Sequence, residues 1–184
     1  MLSACGNGDT VGSTVVDVPG LDPDAEIEIV EVEPAPSDES YAWTHAVQVE
    51  GLPPVNVGHP TSEFLDDAHR VGDDPEDYLC TAIDGSGGCS VEDPDKPSVA
   101  GLTAGGPDVV AWEWSFVPDD AAAVTFTDRD GRTTWQRPLE RMVIFPDADE
   151  DDPDGMCRCR FDAVDRDGEV IVSIDAESGS YIDG

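Results

Sequence analysis

The run from Val109 to Val117 constrains this chain more than any other stretch. Val110, Trp112, Trp114 and Phe116 fall on one side of a period-2 pattern, while Val109, Ala111 and Val117 fall on the other. A strand that is apolar on both faces belongs in the middle of a fold, covered from two sides. Pro118-Asp119-Asp120 turns the chain after it. The same pattern recurs on both sides. Tyr41, Trp43, His45, Val47 and Val49 share one face of an alternating run, and Gly51-Leu52-Pro53-Pro54 ends it. Ala25 to Ile29 alternates, and Val30 to Glu33 alternates in the opposite phase. Two adjacent apolar residues at that join predict a bulge or a switch of face within one long strand.

Further strands are expected at 78–83, 122–127, 133–136, 139–145, 158–164 and 169–174, with Asp84-Gly85-Ser86-Gly87-Gly88 as a loop. Asp-Arg-Asp-Gly occurs twice, at 128–131 and 165–168, each time between alternating runs. Both copies read as hairpin turns with Asp-Gly at the tip. The best helix lies in Pro60–His69: Thr61 or Ser62 supplies the N-cap, and Phe64, Leu65 and Ala68 form an apolar stripe. About ten short strands at this spacing, with one short helix, predict an all-β antiparallel β-sandwich over residues 25–184.

Charge narrows the partners. The chain carries 42 acidic side chains against 9 basic ones. Nucleic-acid binding needs clustered Lys and Arg, so it is excluded, as is adhesion to an anionic membrane surface through the protein itself. No apolar run approaches the roughly 20 residues of a spanning helix. The acid is mostly Asp, and Lys96 is the single lysine. Such a surface suits salty surroundings, where screening relieves self-repulsion, and equally suits a genome rich in G and C. Seven of the nine basic residues fall between Arg129 and Arg166, whereas residues 1–100 hold two basic against 22 acidic. The asymmetry fits either an internal charge match or a face for an anionic ligand.

The first residues carry a resemblance. Leu2-Ser3-Ala4-Cys5 resembles the lipobox of bacterial lipoproteins, in which the signal is cut before the cysteine and the cysteine is lipidated. The basic and apolar stretches that precede a lipobox in that family are absent upstream of Leu2. Residues 1–5 are then a signal remnant, with Cys5 lipidated. Residues 6–24, opening Gly6-Asn7-Gly8-Asp9, form a flexible tether. The resemblance implies an extracytoplasmic protein anchored to the outer face of the cell membrane. The stretch from Trp112 to Asp167 is also similar to a pattern in uncharacterised secreted proteins of high-GC Gram-positive bacteria. Its parts here are Val117-Pro118-Asp119, Val124 to Phe126, Asp130-Gly131 and Asp165 to Gly168. It brings no known activity.

With Cys5 lipidated, Cys80, Cys89, Cys157 and Cys159 remain, an even count that favours disulfides in an exported chain. Cys80 and Cys89 flank the glycine-rich stretch and form the preferred pair. Cys157 and Cys159 share a strand face about 6.5–7 Å apart, at the bridging limit. They bond to each other only across a turn, and otherwise each crosses to Cys80 or Cys89. A four-thiolate zinc site or a Cu(I) site at Met156-Cys157-Arg158-Cys159 is the competing reading, but the spacing is a poor match to zinc knuckles.

Asp147, Asp149 and Asp151, followed by Asp154, occupy a run with calcium-loop spacing. Asp152 stands where that loop takes Gly and Arg158 where it takes Glu, so a solvated acidic loop competes with a calcium site. No other cofactor is implied. Asp84 to Gly88 is similar in composition, not in order, to the nucleophile loop of trypsin-like proteases, and no histidine sits in that family's context. His59, Glu63, Asp66 and His69 fit no metal motif, and His45 reads as a packed strand residue. Trp112 and Trp114 line either a sugar platform or the core. The reading is a non-catalytic surface lipoprotein with a binding or envelope-structural role toward an unknown protein or carbohydrate. A calcium-stabilised adhesion or carbohydrate-binding domain and an extracytoplasmic hydrolase are the alternatives.

Overall fold

The computed structural model describes residues 18–68, 70, 73–84, 86–91, 98–103, 110–146, 159–175 and 180–181. Among these, thirteen strands follow in chain order. The first five are β1 (Ile29–Val32), β2 (Tyr41–Val49), β3 (Val55–Pro60), β4 (Tyr78–Ile83) and β5 (Ser86–Val91). Next come β6 (Ser98–Thr103), β7 (Val110–Ser115), β8 (Ala123–Thr127) and β9 (Thr133–Gln136). The last four are β10 (Val143–Pro146), β11 (Arg160–Val164), β12 (Val170–Asp175) and β13 (Ser180–Tyr181). One helix, α1 (Ser62–Asp67), follows β3, with Thr61 as its N-cap.

The strands form three antiparallel sheets: a front sheet β1-β2-β3-β4-β5, a middle sheet β10-β7-β6 and a back sheet β13-β12-β11-β8-β9. The expected all-β sandwich is present, and it has three layers. β7 is the central strand of the middle sheet, as its two apolar faces require. Trp112 and Trp114 face the back sheet, packing with Val143 and Phe145 against Val124, Phe126, Phe161 and Ile174. The opposite face presents Ala111, Met142 and Ile144 to Val47, Val55, Val57 and Ile83 of the front sheet. Each face of one small sheet therefore seeds a separate core.

Several local expectations are corrected. The 25–33 stretch is not one strand. Glu26 bridges Trp135 of the back sheet in parallel, and Ile29–Val32 then pairs with β2 of the front sheet. The phase reversal seen in sequence is a change of sheet. Tyr41 and Trp43 do not share a face with His45, because a register shift between Trp43 and His45 makes Thr44 a bulge residue. His45 and Val47 then face the middle sheet. Tyr41 and Trp43 face outward, where they stack at 4.9 Å and Phe64 of α1 packs beside Tyr41 at 5.2 Å. The 84–88 loop is mostly strand: Ser86 already pairs with Ile83, and Asp84 takes the left-handed conformation of a tight hairpin.

Both Asp-Arg-Asp-Gly turns adopt one geometry. The glycine N–H donates to the first aspartate carbonyl at 3.1 Å in each, and the first aspartate carboxylate caps the backbone beyond the tip. Gly131 and Gly168 have φ near +80°, so each hairpin is a β-turn closed by a glycine bulge rather than an Asp-Gly tip. Residues 18–24, expected within the tether, are packed instead. Val18 is buried against Ala123, Trp135 and Val164 on the outer face of the back sheet. Trp135 Nε1 donates to Asp22 O at 2.7 Å. The segment is a strap that crosses the back sheet and enters β1.

Candidate functional site

The sequence-predicted residues are brought together only in part. Cys80 and Cys89 are directly paired across β4 and β5 and form a disulfide, with Cα atoms 4.0 Å apart. That bond closes the readings in which Cys157 or Cys159 crosses to either of them, and it removes the four-thiolate metal site. Cys159 is itself disulfide-bonded. Cys5 and Cys157 lie outside the described residues, as do Asp147, Asp149, Asp151 and Asp154 of the calcium reading. Among the described residues, no group of three or more His, Cys, Asp and Glu side chains is placed to hold a metal ion.

His59 Nδ1 lies 2.7 Å from Tyr78 O, Glu63 and Asp66 are exposed on α1, and His69 is outside the described residues. Trp112 and Trp114 are core residues, so they form no sugar platform. Among the described residues, a serine–carboxylate pair is found on the back sheet. Ser173 Oγ donates to Asp162 Oδ1, and Arg160 Nε bonds the same oxygen at 2.7 Å. Arg160 Nη2 also donates to Ser173 Oγ at 3.1 Å, so the three side chains form one hydrogen-bonded cluster that orders the sheet surface.

A cleft of about 560 Å³ opens where three loops meet at one end of the back sheet. Asp119, Asp120, Asp165, Asp167, Arg137 and Arg166 bring both signs of charge to it. Its scaffold is fixed. Arg137 pairs with Glu26 at 3.0 Å and stacks over Trp135 at 4.9 Å. Arg141 pairs with Asp119 at 3.1 Å, and Val117 N–H donates to Arg141 O at 3.0 Å. Phe116, Glu140 and Arg141 all have positive φ, so this corner concentrates backbone strain.

Glu113 lies between the two tryptophans of β7 and belongs to no sequence motif. Strand alternation puts it opposite them, on the face shared with Ala111, and it is only 4% exposed. Its partner is Thr81 of β4, whose hydroxyl donates to Glu113 Oε2 at 2.8 Å across the two layers. Burial pushes the Glu113 carboxyl up to about 7, against the opposing pull of the Thr81 hydrogen bond. The available signal was a single acidic residue inside a run read as apolar on both faces.

No known family model, curated protein or solved structure matches the chain.

Proposed function

We propose that the chain is a non-catalytic binding domain at the outer face of the cell membrane, held there by a lipid on Cys5, with a protein or carbohydrate ligand. The Cys80–Cys89 disulfide carries the reading, because such bonds persist in oxidising compartments outside the cytosol. The mixed-charge cleft supports the binding role: loops set on a rigid sandwich are where recognition is placed.

Fractionation of the cells that make the protein tests this. The expected result is wild-type chain in the detergent phase of a cloud-point extract, Cys5→Ala in the aqueous phase, and Cys80 and Cys89 blocked to alkylation before reduction. Wild-type chain in the aqueous phase, or free thiols at Cys80 and Cys89, overturns the reading.

A further inference from the structure

From the contact between β7 and β4 we infer that Glu113 and Thr81 form a proton-operated latch between the middle and front sheets. It is closed while the Glu113 carboxyl holds its proton and weakened when the carboxyl ionises. β7 is the central strand of the middle sheet, so Glu113 stands away from every sheet edge. Among the described residues Thr81 is its one hydrogen-bond partner, and no cation pairs with it. A neutral carboxyl with one hydroxyl partner sits in such a seam at modest expense. A carboxylate in the same place lacks compensation, and the seam must separate or admit water to solvate it.

Among the described residues, the titratable groups on the facing side of the front sheet are His45, His59 and Glu31, and none of them bonds Glu113. Across the front sheet the row containing Thr81 runs His45, Val57, Thr81, Gly88. His45 is two strands from Thr81, its Nδ1 lies 3.0 Å from Thr44 Oγ1, and its Nε2 is buried without a partner among the described residues. His59 is on the same sheet face, two residues along β3 from Val57, the direct partner of Thr81, and its Nδ1 lies 2.7 Å from Tyr78 O; Glu31 is on that face opposite Val47. In the middle sheet Glu113 is flanked by Ala100 and Ile144, neither of which titrates. Thr81 adjoins Cys80, whose disulfide staples β4 to β5, so both strands move together when the seam opens.

Hydrogen exchange, corrected for the intrinsic pH dependence of the chemistry, tests the latch in the full chain between pH 5 and 8. The readout is the opening of segments 79–83 and 111–115 in the wild type relative to Glu113→Gln. That ratio rises steeply, by up to about tenfold per pH unit, until the carboxyl is ionised, and then levels off. The ratio cancels the pH dependence that the many surface carboxylates give both proteins. A pH-independent ratio overturns the latch, as does a slope that disappears in His45→Gln or in His59→Gln. Should Glu113→Gln fail to fold, the wild-type Glu113 carboxyl carbon resonance is followed by NMR. Titration near neutrality with a concurrent shift of the Thr81 amide supports the latch, and titration in the ordinary carboxylate range without that shift overturns it.

Discussion

The side-chain amide of Gln136 bonds both backbone groups of Ile144. Gln136 Nε2 donates to Ile144 O at 3.0 Å, and Ile144 N–H donates to Gln136 Oε1 at 2.7 Å. Among the described residues β10 pairs only with β7, so the amide stands where a neighbouring strand's peptide would stand and joins back sheet to middle sheet. Gln136 is fully buried.

Gln136→Leu keeps the volume and strands two buried backbone groups. The expected loss is about 2–4 kcal/mol. It is read as a lower urea midpoint with an unchanged slope, which separates a weaker fold from a changed unfolded state.

Glu113 gives the fold a pH dependence opposite to that of a salt-bridged acid. Its folded value of about 7 exceeds its ordinary 4.5. The stabilisation from the neutral carboxyl is complete below 4.5, falls as pH rises toward 7, and changes no further above that. Relative to wild type, Glu113→Gln gains up to about 3 kcal/mol between pH 4 and pH 8. Paired denaturant curves at the two pH values measure it, and parallel behaviour of the two proteins contradicts it.

The disulfide closes a short hairpin whose strands are already paired. Replacing both cysteines, Cys80→Ala with Cys89→Ala, removes about 2–3 kcal/mol, mostly by freeing the unfolded chain. The double variant leaves the Cys159 bond in place, so its thermal midpoint reports this bond alone, as reductant would not.

Gly58 and Gly87 are needed for space, whereas Gly131 is needed for conformation. A Cβ at Gly58 would stand 2.1 Å from Ala42 O, and one at Gly87 would stand 2.0 Å from Thr81 O. At Gly131 the space is open and only φ of +79° opposes a side chain. Gly131→Ala is expected to lose about 1–2 kcal/mol, and Gly58→Ala and Gly87→Ala clearly more, because backbone must shift. Thermal denaturation ranks the three.

Glu140 is exposed, and its φ is +49° in the two-residue turn between Leu139 and Met142. Glu140→Gly removes that strain without removing a buried contact. The expected gain is about 1 kcal/mol, visible as a raised urea midpoint.

Period-2 alternation made β7, β8 and the two Asp-Arg-Asp-Gly hairpins legible, because those features are local. Thr61 as helix cap was equally readable. The bulge at Thr44 left no mark, since Tyr41 to Val49 alternates without interruption. Only the pairing with β3, where Gly58 admits the close approach of Ala42, shows the change of face. The third layer was hidden for a related reason: alternation tells which residues share a face and not which sheet that face meets. Glu113 was visible as a residue, but the meaning of its burial depended on Thr81, 32 positions away.

The strap across the back sheet governs how the domain bears load. A pull delivered through residue 18 meets Val18 in its pocket, Pro19 against Gly168 and the Asp22–Trp135 bond before it reaches β1. These contacts lie on β8, β9 and the β11–β12 turn, while β1 belongs to the opposite outer layer. Tension at the start of the chain is thus divided between the two outer sheets, and the first strand is shielded from being peeled off its edge.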